Sequence, residues 1–236
     1  MSDTKIVASA EEALFDAFDG MTIMSGGFGL CGNAENCITE IKRRNIRDLT
    51  VISNNCGNKG LGLAVLLKDR QVKKVIGSYI GGNPDLQEQY FAGDLEVELN
   101  PQGTLAERIR AGGAGLGGFF TPTGVGTVVA EGKETREIDG KTYVFEKPLH
   151  ADFAILRAHK VDAYGNVRFY RTARNFAPLM AMAAKVAIVE AEEIVPLGAL
   201  DPDDIHLPGI FVQRVFLGKD HQNWIENRTV RSREAG

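Results

Sequence analysis

Amides and glycines, rather than acids or histidines, mark the positions of this chain where chemistry is most readable. Gly26, Gly27, Phe28, Gly29, Leu30, Cys31 and Gly32 form a glycine-rich loop between a short apolar run and a helical segment. Gly27, Gly29 and Gly32 satisfy G-x-G-x-x-G, the pattern by which a strand-loop-helix turn brings backbone N–H groups to a pyrophosphate. A dinucleotide site also needs an acid about 20 residues further on, at the end of the second strand, for the ribose hydroxyls. Asp48 has the separation but precedes that strand, whose far end carries Ser53, Asn54 and Asn55. A nicotinamide cofactor is therefore not expected. Asn54 and Asn55 follow one predicted strand, and Gln102, between Pro101 and Gly103, follows another, so their amides belong to the carboxyl edge of a sheet. There they either serve a site or close their own loops, as such residues commonly do.

The remaining reactive types are poorly grouped. Cys31, Cys37 and Cys56 are odd in number and lack Cys-x-x-Cys spacing, which argues against a disulfide framework and a structural zinc site. Cys31 has no nearby histidine in sequence and reads as a packed thiol rather than a nucleophile. His150, His159 and His206 are far apart, so no metal site is expected. Lys160, Arg171 and Arg174 suit either a bound anion or ordinary surface pairing, and Met180 and Met182 read as core.

Strands and helices alternate along the elements that must carry these residues. A helix is expected over residues 8–18 with Ser9 as its cap and Ala10, Leu14, Ala17 and Phe18 on the inner face. Strands follow at 21–25, 49–53, 74–79 and 96–99, and helices at 35–44, 61–67 and 86–91. Pro101-Gln102-Gly103 reads as a tight turn, with Thr104 capping a helix over 105–110. Residues 135–146 read as a hairpin turning at Asp139-Gly140. Further strands are expected at 153–158, 166–170 and 186–189, with a helix at 175–185. This order predicts an α/β fold: an open, mainly parallel sheet flanked by helices, with a β-hairpin insertion. One domain is expected, with a core over about 5–217 and a polar tail from Gly218 that frays.

Composition narrows the function classes. The 236 residues carry 27 Lys+Arg against 31 Asp+Glu, a net charge of −4, which disfavours a general nucleic-acid binder. Apolar runs stop far short of the roughly 20 residues a membrane helix needs, and the acid-bearing start is no secretory signal. A soluble cytoplasmic protein is the simplest expectation. Seven of the 27 glycines fall within residues 111–127, where they either line a site or let helices pack on the sheet.

Several ordered motifs carry a resemblance. DGMTIMSGGFGLCG (19–32), SNNCG (53–57), PQGTLAERIRAGGAG (101–115), TPTGVGT (121–127), EGKETREIDG (131–140), ARNF (173–176) and DPDDIHLPGIFVQRV (201–215) together resemble the A subunit of family I coenzyme A transferases. The likeness runs over about residues 5–217. One departure is Gly32-Asn33-Ala34, where the family usually has Gly-x-Pro.

The resemblance implies transfer of coenzyme A from succinyl-CoA to a 3-oxo acid such as acetoacetate, or to 3-oxoadipate. A non-catalytic CoA- or nucleotide-binding protein is the alternative from another class. The family's nucleophile is a glutamate on the homologous B subunit, in a Ser-Glu-Asn-Gly context. Here the only Glu-Asn pairs are Glu35-Asn36 and Glu226-Asn227, neither in that context. The resemblance therefore implies a partner B subunit, a heterotetramer of two A and two B, and no permanently bound cofactor. It also implies that residues 26–32 bind CoA, that Gln102 and Asn54 position groups and support the oxyanion, and that Asn55 meets the substrate acid.

Overall fold

Short apolar runs ending in glycine or polar residues become strands, and amphipathic stretches between them become helices. The computed structural model describes residues 4–224 except Lys59. The first half of the chain contains β1 (Thr22–Ser25), α2 (Glu35–Arg43), β2 (Leu49–Ile52), α3 (Ala64–Lys68), β3 (Val72–Gly77), α4 (Pro84–Ala92), β4 (Glu96–Leu99) and α5 (Gln102–Gly113), after a short α1 (Ala10–Ala13). The second half contains β5 (Phe119–Thr121), β6 (Thr135–Ile138), β7 (Lys141–Glu146), β8 (Ala151–Asp162), β9 (Val167–Arg168), α6 (Ala177–Ala183), β10 (Ala184–Val195) and β11 (Arg214–Leu217).

The main sheet runs β11-β10-β8-β1-β2-β3-β4, all parallel, with β9 antiparallel against β8. Helices cover both faces, so the central strands are buried on both sides and lack strict alternation. Ile23, Phe153, Ile155 and Ile188 pack with α2 residues Cys37, Ile38 and Ile41 on one side. Met24, Ala154, Leu156 and Val189 pack with α5 and α6 on the other. From β1 the chain first builds outward through β2, β3 and β4, then returns to add β8, β10 and β11 on the opposite flank. Such a reversal leaves a crevice beyond the strand ends, and the glycine loop leaves β1 at that point. Separately, β5, β7 and β6 form a small antiparallel sheet. Its hairpin turns at Asp139 and Gly140, both with positive φ (50° and 74°), as a tight two-residue loop requires.

Several boundaries differ from expectation, among them those of α1, α5, α6 and β10. The opening helix stops at Ala13 and continues as a turn in which the Leu14 carbonyl accepts from Ala17 N at 2.9 Å, with Arg44 donating to the carbonyls of Leu14 and Ala17. Ser9 does cap it, accepting from Glu12 N at 3.2 Å, but Phe18 faces solvent. Gln102 is the first residue of α5 rather than part of a tight turn; Pro101 precedes it and Thr104 is buried inside the helix. The last long strand is twelve residues instead of four, and the helix before it is correspondingly shorter. Glu190 and Glu192 disguise that strand as an amphipathic segment.

Glu190 is fully buried and has a structural task. The first turn of α2 has no side-chain cap, and Glu190 Oε2 accepts from Asn36 N at 2.8 Å and Cys37 N at 3.2 Å. An anion at a helix amino terminus also meets the positive end of the helix dipole. The other oxygen lies 3.2 Å from His221 Nδ1. The tail expected to fray from Gly218 is thus held as far as Trp224, with Asn36 exchanging hydrogen bonds with Lys219. Residues 225–236, and with them Glu226-Asn227, lie outside the described residues.

This packing makes two quantities measurable. A Cβ on Gly112 would stand 2.0 Å from the Leu149 carbonyl oxygen, so Gly112→Ala should lower stability by about 1–3 kcal/mol, read as a lower denaturant midpoint. The Glu190 carboxylate raises the pKa of His221 above its usual 6.5, against an opposing contribution from burial. The folded chain therefore holds this proton more tightly than the unfolded one. The stabilisation is complete below 6.5 and fades as pH climbs through the raised folded value. The melting-temperature difference between wild type and His221→Gln should shrink across that interval.

Candidate functional site

Asn54, Asn55 and Gln102, separated widely in sequence, meet at the carboxyl edge of the main sheet together with the glycine loop. Gly29 N donates to Asn55 Oδ1 at 2.9 Å, and Asn54 Nδ2 donates to the same oxygen at 3.1 Å. Gln102 Nε2 in turn donates to Asn54 Oδ1 at 2.9 Å. The ends of β1, β2 and β4 are thereby joined by one chain of amides. Its polarity has a single source. A backbone N–H can only donate, so the Asn55 atom facing Gly29 is an oxygen; the Asn54 atom facing that oxygen is then the nitrogen. Asn54 turns its oxygen towards Gln102, which must answer with its own nitrogen. Asn54 and Asn55 are buried, at 4% and 8% exposure, whereas Gln102 is exposed. The chain therefore runs from the interior to a surface amide whose carbonyl and second N–H are not consumed by it.

The end of β3 grips the middle of this chain. Asn54 O accepts from Ser78 N at 3.0 Å and Tyr79 N at 3.1 Å, and Ser78 Oγ lies 2.8 Å from Asn54 Oδ1. At the far end, Pro101 fixes the entry to α5, and the Pro101 carbonyl accepts from Leu105 N at 2.9 Å. The preceding Asn100 is held by the buried Arg108, whose Nη1 donates to Asn100 Oδ1 at 2.5 Å and to Glu98 Oε1 at 2.6 Å. Burial alone would raise the Glu98 pKa, but Arg108 and Lys74 outweigh it and hold the carboxyl below the usual range.

The glycine loop is itself closed by hydrogen bonds. Phe28 N and Cys31 N each donate to the other residue's carbonyl at 3.0 Å. Gly27 N donates to Asn175 Oδ1 at 3.2 Å. With Gly29 N on Asn55 and Gly26 N on the Ile155 carbonyl at 3.1 Å, five loop amides are satisfied within the protein, which is not the open cradle of donors that a pyrophosphate turn presents. Gly27 has φ of 121°, and a Cβ there would lie 2.0 Å from Asn33 Oδ1, so its glycine is needed for backbone conformation and for packing. Phe28 and Cys31 are exposed on the loop, while Leu30 is buried. Cys31 is therefore not the packed thiol expected, because it stands at the outer turn of the loop. Asn33-Ala34, the departure from Gly-x-Pro, is buried, and Glu190 supplies the helix start with its anchoring.

Beside the loop lies a cleft of about 570 Å³, bordered by Cys31, Arg157, His159, Arg171, Glu192 and Trp224 among others. Its inner charges are mutually spent. Arg157 Nε and Nη2 lie 2.9 Å and 2.7 Å from Glu192 Oε1, and His159 Nδ1 lies 3.0 Å from Glu192 Oε2. Burial pushes the Glu192 pKa up, but His159 and Arg157 more than reverse it. Lys160 pairs with Glu193 at 2.9 Å, the surface-pairing alternative, and Arg171 lies over the Tyr170 ring. Burial raises the Cys56 thiol to about 12 and raises Cys37 as well, so both are packed thiols. Met180 is core, as expected, whereas Met182 is only half-buried. Among residues 111–127, Gly112 and Gly113 belong to α5, where they allow close approach to Leu149 and to Met182 of α6.

Two participants were not expected from sequence. Asn175 lies in the ARNF motif but pins the glycine loop across 148 residues, a pairing no local pattern reveals. Ser78 is hidden by a boundary: the strand expected at 74–79 encloses it, whereas β3 ends at Gly77 and leaves Ser78 just beyond the carboxyl end.

Known proteins share this fold. The family model described as Coenzyme A transferase matches residues 7–218. The chain is 51% identical over 228 residues to the A subunit of succinyl-CoA:3-ketoacid coenzyme A transferase of Helicobacter pylori (strain J99 / ATCC 700824), covering 97% of this chain and 98% of that one. It is 54% identical over 211 residues to the A subunit of 3-oxoadipate CoA-transferase of Pseudomonas putida, covering 89% and 90%. An acyl-CoA transferase from Escherichia coli O157:H7, solved as a thioester complex with CoA, superposes with a TM-score of 0.83 at 23% identity over 93% of this chain, a likeness of fold. This chain spans 48% of that longer polypeptide. Family model and relatives agree: the chain belongs to the coenzyme A transferase family.

Proposed function

We propose that this chain is the A subunit of a transferase that moves coenzyme A from succinyl-CoA to a 3-oxo acid, with acetoacetate the principal acceptor. The observation that carries the reading is the directed amide chain from Gly29 through Asn55 and Asn54 to Gln102. It presents fixed dipoles at the sheet edge, which suits charge stabilisation rather than nucleophilic attack. The Helicobacter pylori relative, itself named as one subunit of its enzyme and matched along nearly its whole length, supports both the reaction and a partner chain.

In this reading a glutamate of the B subunit attacks the thioester carbonyl carbon. Negative charge gathers on the carbonyl oxygen, then the C–S bond breaks and CoA leaves as the thiolate, giving an acyl-enzyme anhydride. The thiolate next attacks the anhydride at the enzyme's own acyl carbon, releasing succinate and leaving CoA as an enzyme thioester. The 3-oxo acid carboxylate repeats the sequence in reverse, so the kinetics are ping-pong. Gln102 and Asn54 position the reacting groups and steady the oxyanion. Asn55, whose oxygen is occupied, meets the substrate carboxylate through its Nδ2. Residues 26–32 contact CoA through Phe28 and Cys31, the loop's exposed side chains. No resident cofactor takes part, and the assembly holds two A and two B subunits as a cytoplasmic enzyme, with this chain as one domain. No helix among the described residues is long and apolar enough to cross a membrane.

The same chemistry on 3-oxoadipate is the second reading, favoured by the Pseudomonas putida relative. Turnover of acetoacetate and 3-oxoadipate by the reconstituted pair decides between them. This chain purified alone should show no transferase activity and should gain it on adding the B subunit; a CoA-binding protein of another kind would gain none. Gln102→Ala should slow acyl-enzyme formation by about 10²-fold in single-turnover measurements while changing CoA affinity far less. Equal losses in both would make Gln102 a binding residue only.

A further inference from the structure

Ser78 has no part in the assignments above, yet it touches the atom on which the amide chain turns. It follows β3 directly and is half-buried. Its hydroxyl has one hydrogen and two acceptors within reach, Asn54 Oδ1 at 2.8 Å and Asn54 O at 3.1 Å. The backbone oxygen already receives Ser78 N and Tyr79 N, at 3.0 and 3.1 Å. Asn54 Oδ1 receives only Gln102 Nε2 besides the hydroxyl, among the described residues. A carbonyl oxygen has two lone pairs, so the better-placed destination for the Ser78 proton is the side-chain oxygen.

The consequence falls on Gln102. Asn54 is held by its own backbone on Ser78 and Tyr79, and through its nitrogen on Asn55, so its oxygen is fixed in space. If both lone pairs of that oxygen were open, an exposed glutamine could approach along either, in two rotameric families. With one filled, a single approach remains. We propose that Ser78 is a positioning residue for the transfer reaction: its hydroxyl occupies one lone pair of Asn54 Oδ1 and confines the Gln102 amide to the other. The inference rests on the catalytic reading of Gln102 and adds a residue that acts only through it.

The test uses the enzyme reconstituted from this chain and the B subunit. Ser78→Ala removes one oxygen and should slow acyl-enzyme formation about tenfold, roughly the effect of one lost hydrogen bond. KM for the acyl-CoA and the melting temperature should stay near wild type. Ser78→Thr, which keeps a hydroxyl, should recover most of the rate. In combination with Gln102→Ala, the added Ser78→Ala should cost nothing further, because the amide it positions is gone. A wild-type rate in Ser78→Ala, a rise in KM matching the fall in kcat, or a multiplied loss in the double variant would each overturn the proposal. If Gln102→Ala is slow while Ser78→Ala is not, only the role of Ser78 fails. If Gln102→Ala itself runs at the wild-type rate, the catalytic reading of Gln102 fails and takes the positioning role with it.

Discussion

A backbone amide can donate a hydrogen bond and never accept one, and the site at the sheet edge inherits its order from that fact. Side-chain amides have two ends of nearly equal size, so a cluster of Asn and Gln is free to settle in either sense. Here Gly29 N removes the freedom at the first link, and each subsequent amide has only one orientation left. The glycine loop thus contributes through its own backbone: folded back on itself through Phe28 and Cys31, it holds the Gly29 amide at a defined position facing Asn55. The parallel sheet sets the level of the strand ends, since β1, β2, β3 and β4 are in register and terminate at the same edge. Side chains just beyond those ends meet without long reaches.

Much of this is legible from sequence because the signals are local. β4 falls on the expected residues, the hairpin turns at Asp139-Gly140, and α2 buries Cys37, Ile38 and Ile41 as its periodicity requires. Asn54, Asn55 and Gln102 are identifiable as strand-end amides, and the structure joins them. The physical meaning of the glycine loop is less accessible. Sequence suggests glycines that let backbone donors reach a ligand, whereas most of those donors have partners inside the protein.

What sequence hides is set by contacts far apart in the chain. No windowed pattern reveals that Arg44 binds the carbonyls of residues 14 and 17 just beyond the first helix, or that a glutamate inside a strand anchors a helix 154 residues earlier. A buried charge is one cause. Glu190 interrupts an apolar run in the sequence but anchors a helix start in the fold, so it makes a buried segment look solvated. Only a third of the twelve-residue β10 reads as a strand for this reason.

Glu190 also bears on how the chain acquires its shape during synthesis. The second helix is made early, yet the carboxylate that completes its first turn emerges from the ribosome some 150 residues later, and β1 must wait a similar time for β8. Non-local pairing of this kind slows folding and leaves apolar faces uncovered meanwhile. The nascent amino-terminal half is therefore an unfinished sheet with an open flank, and closure comes only when the carboxyl-terminal strands arrive to insert beside it.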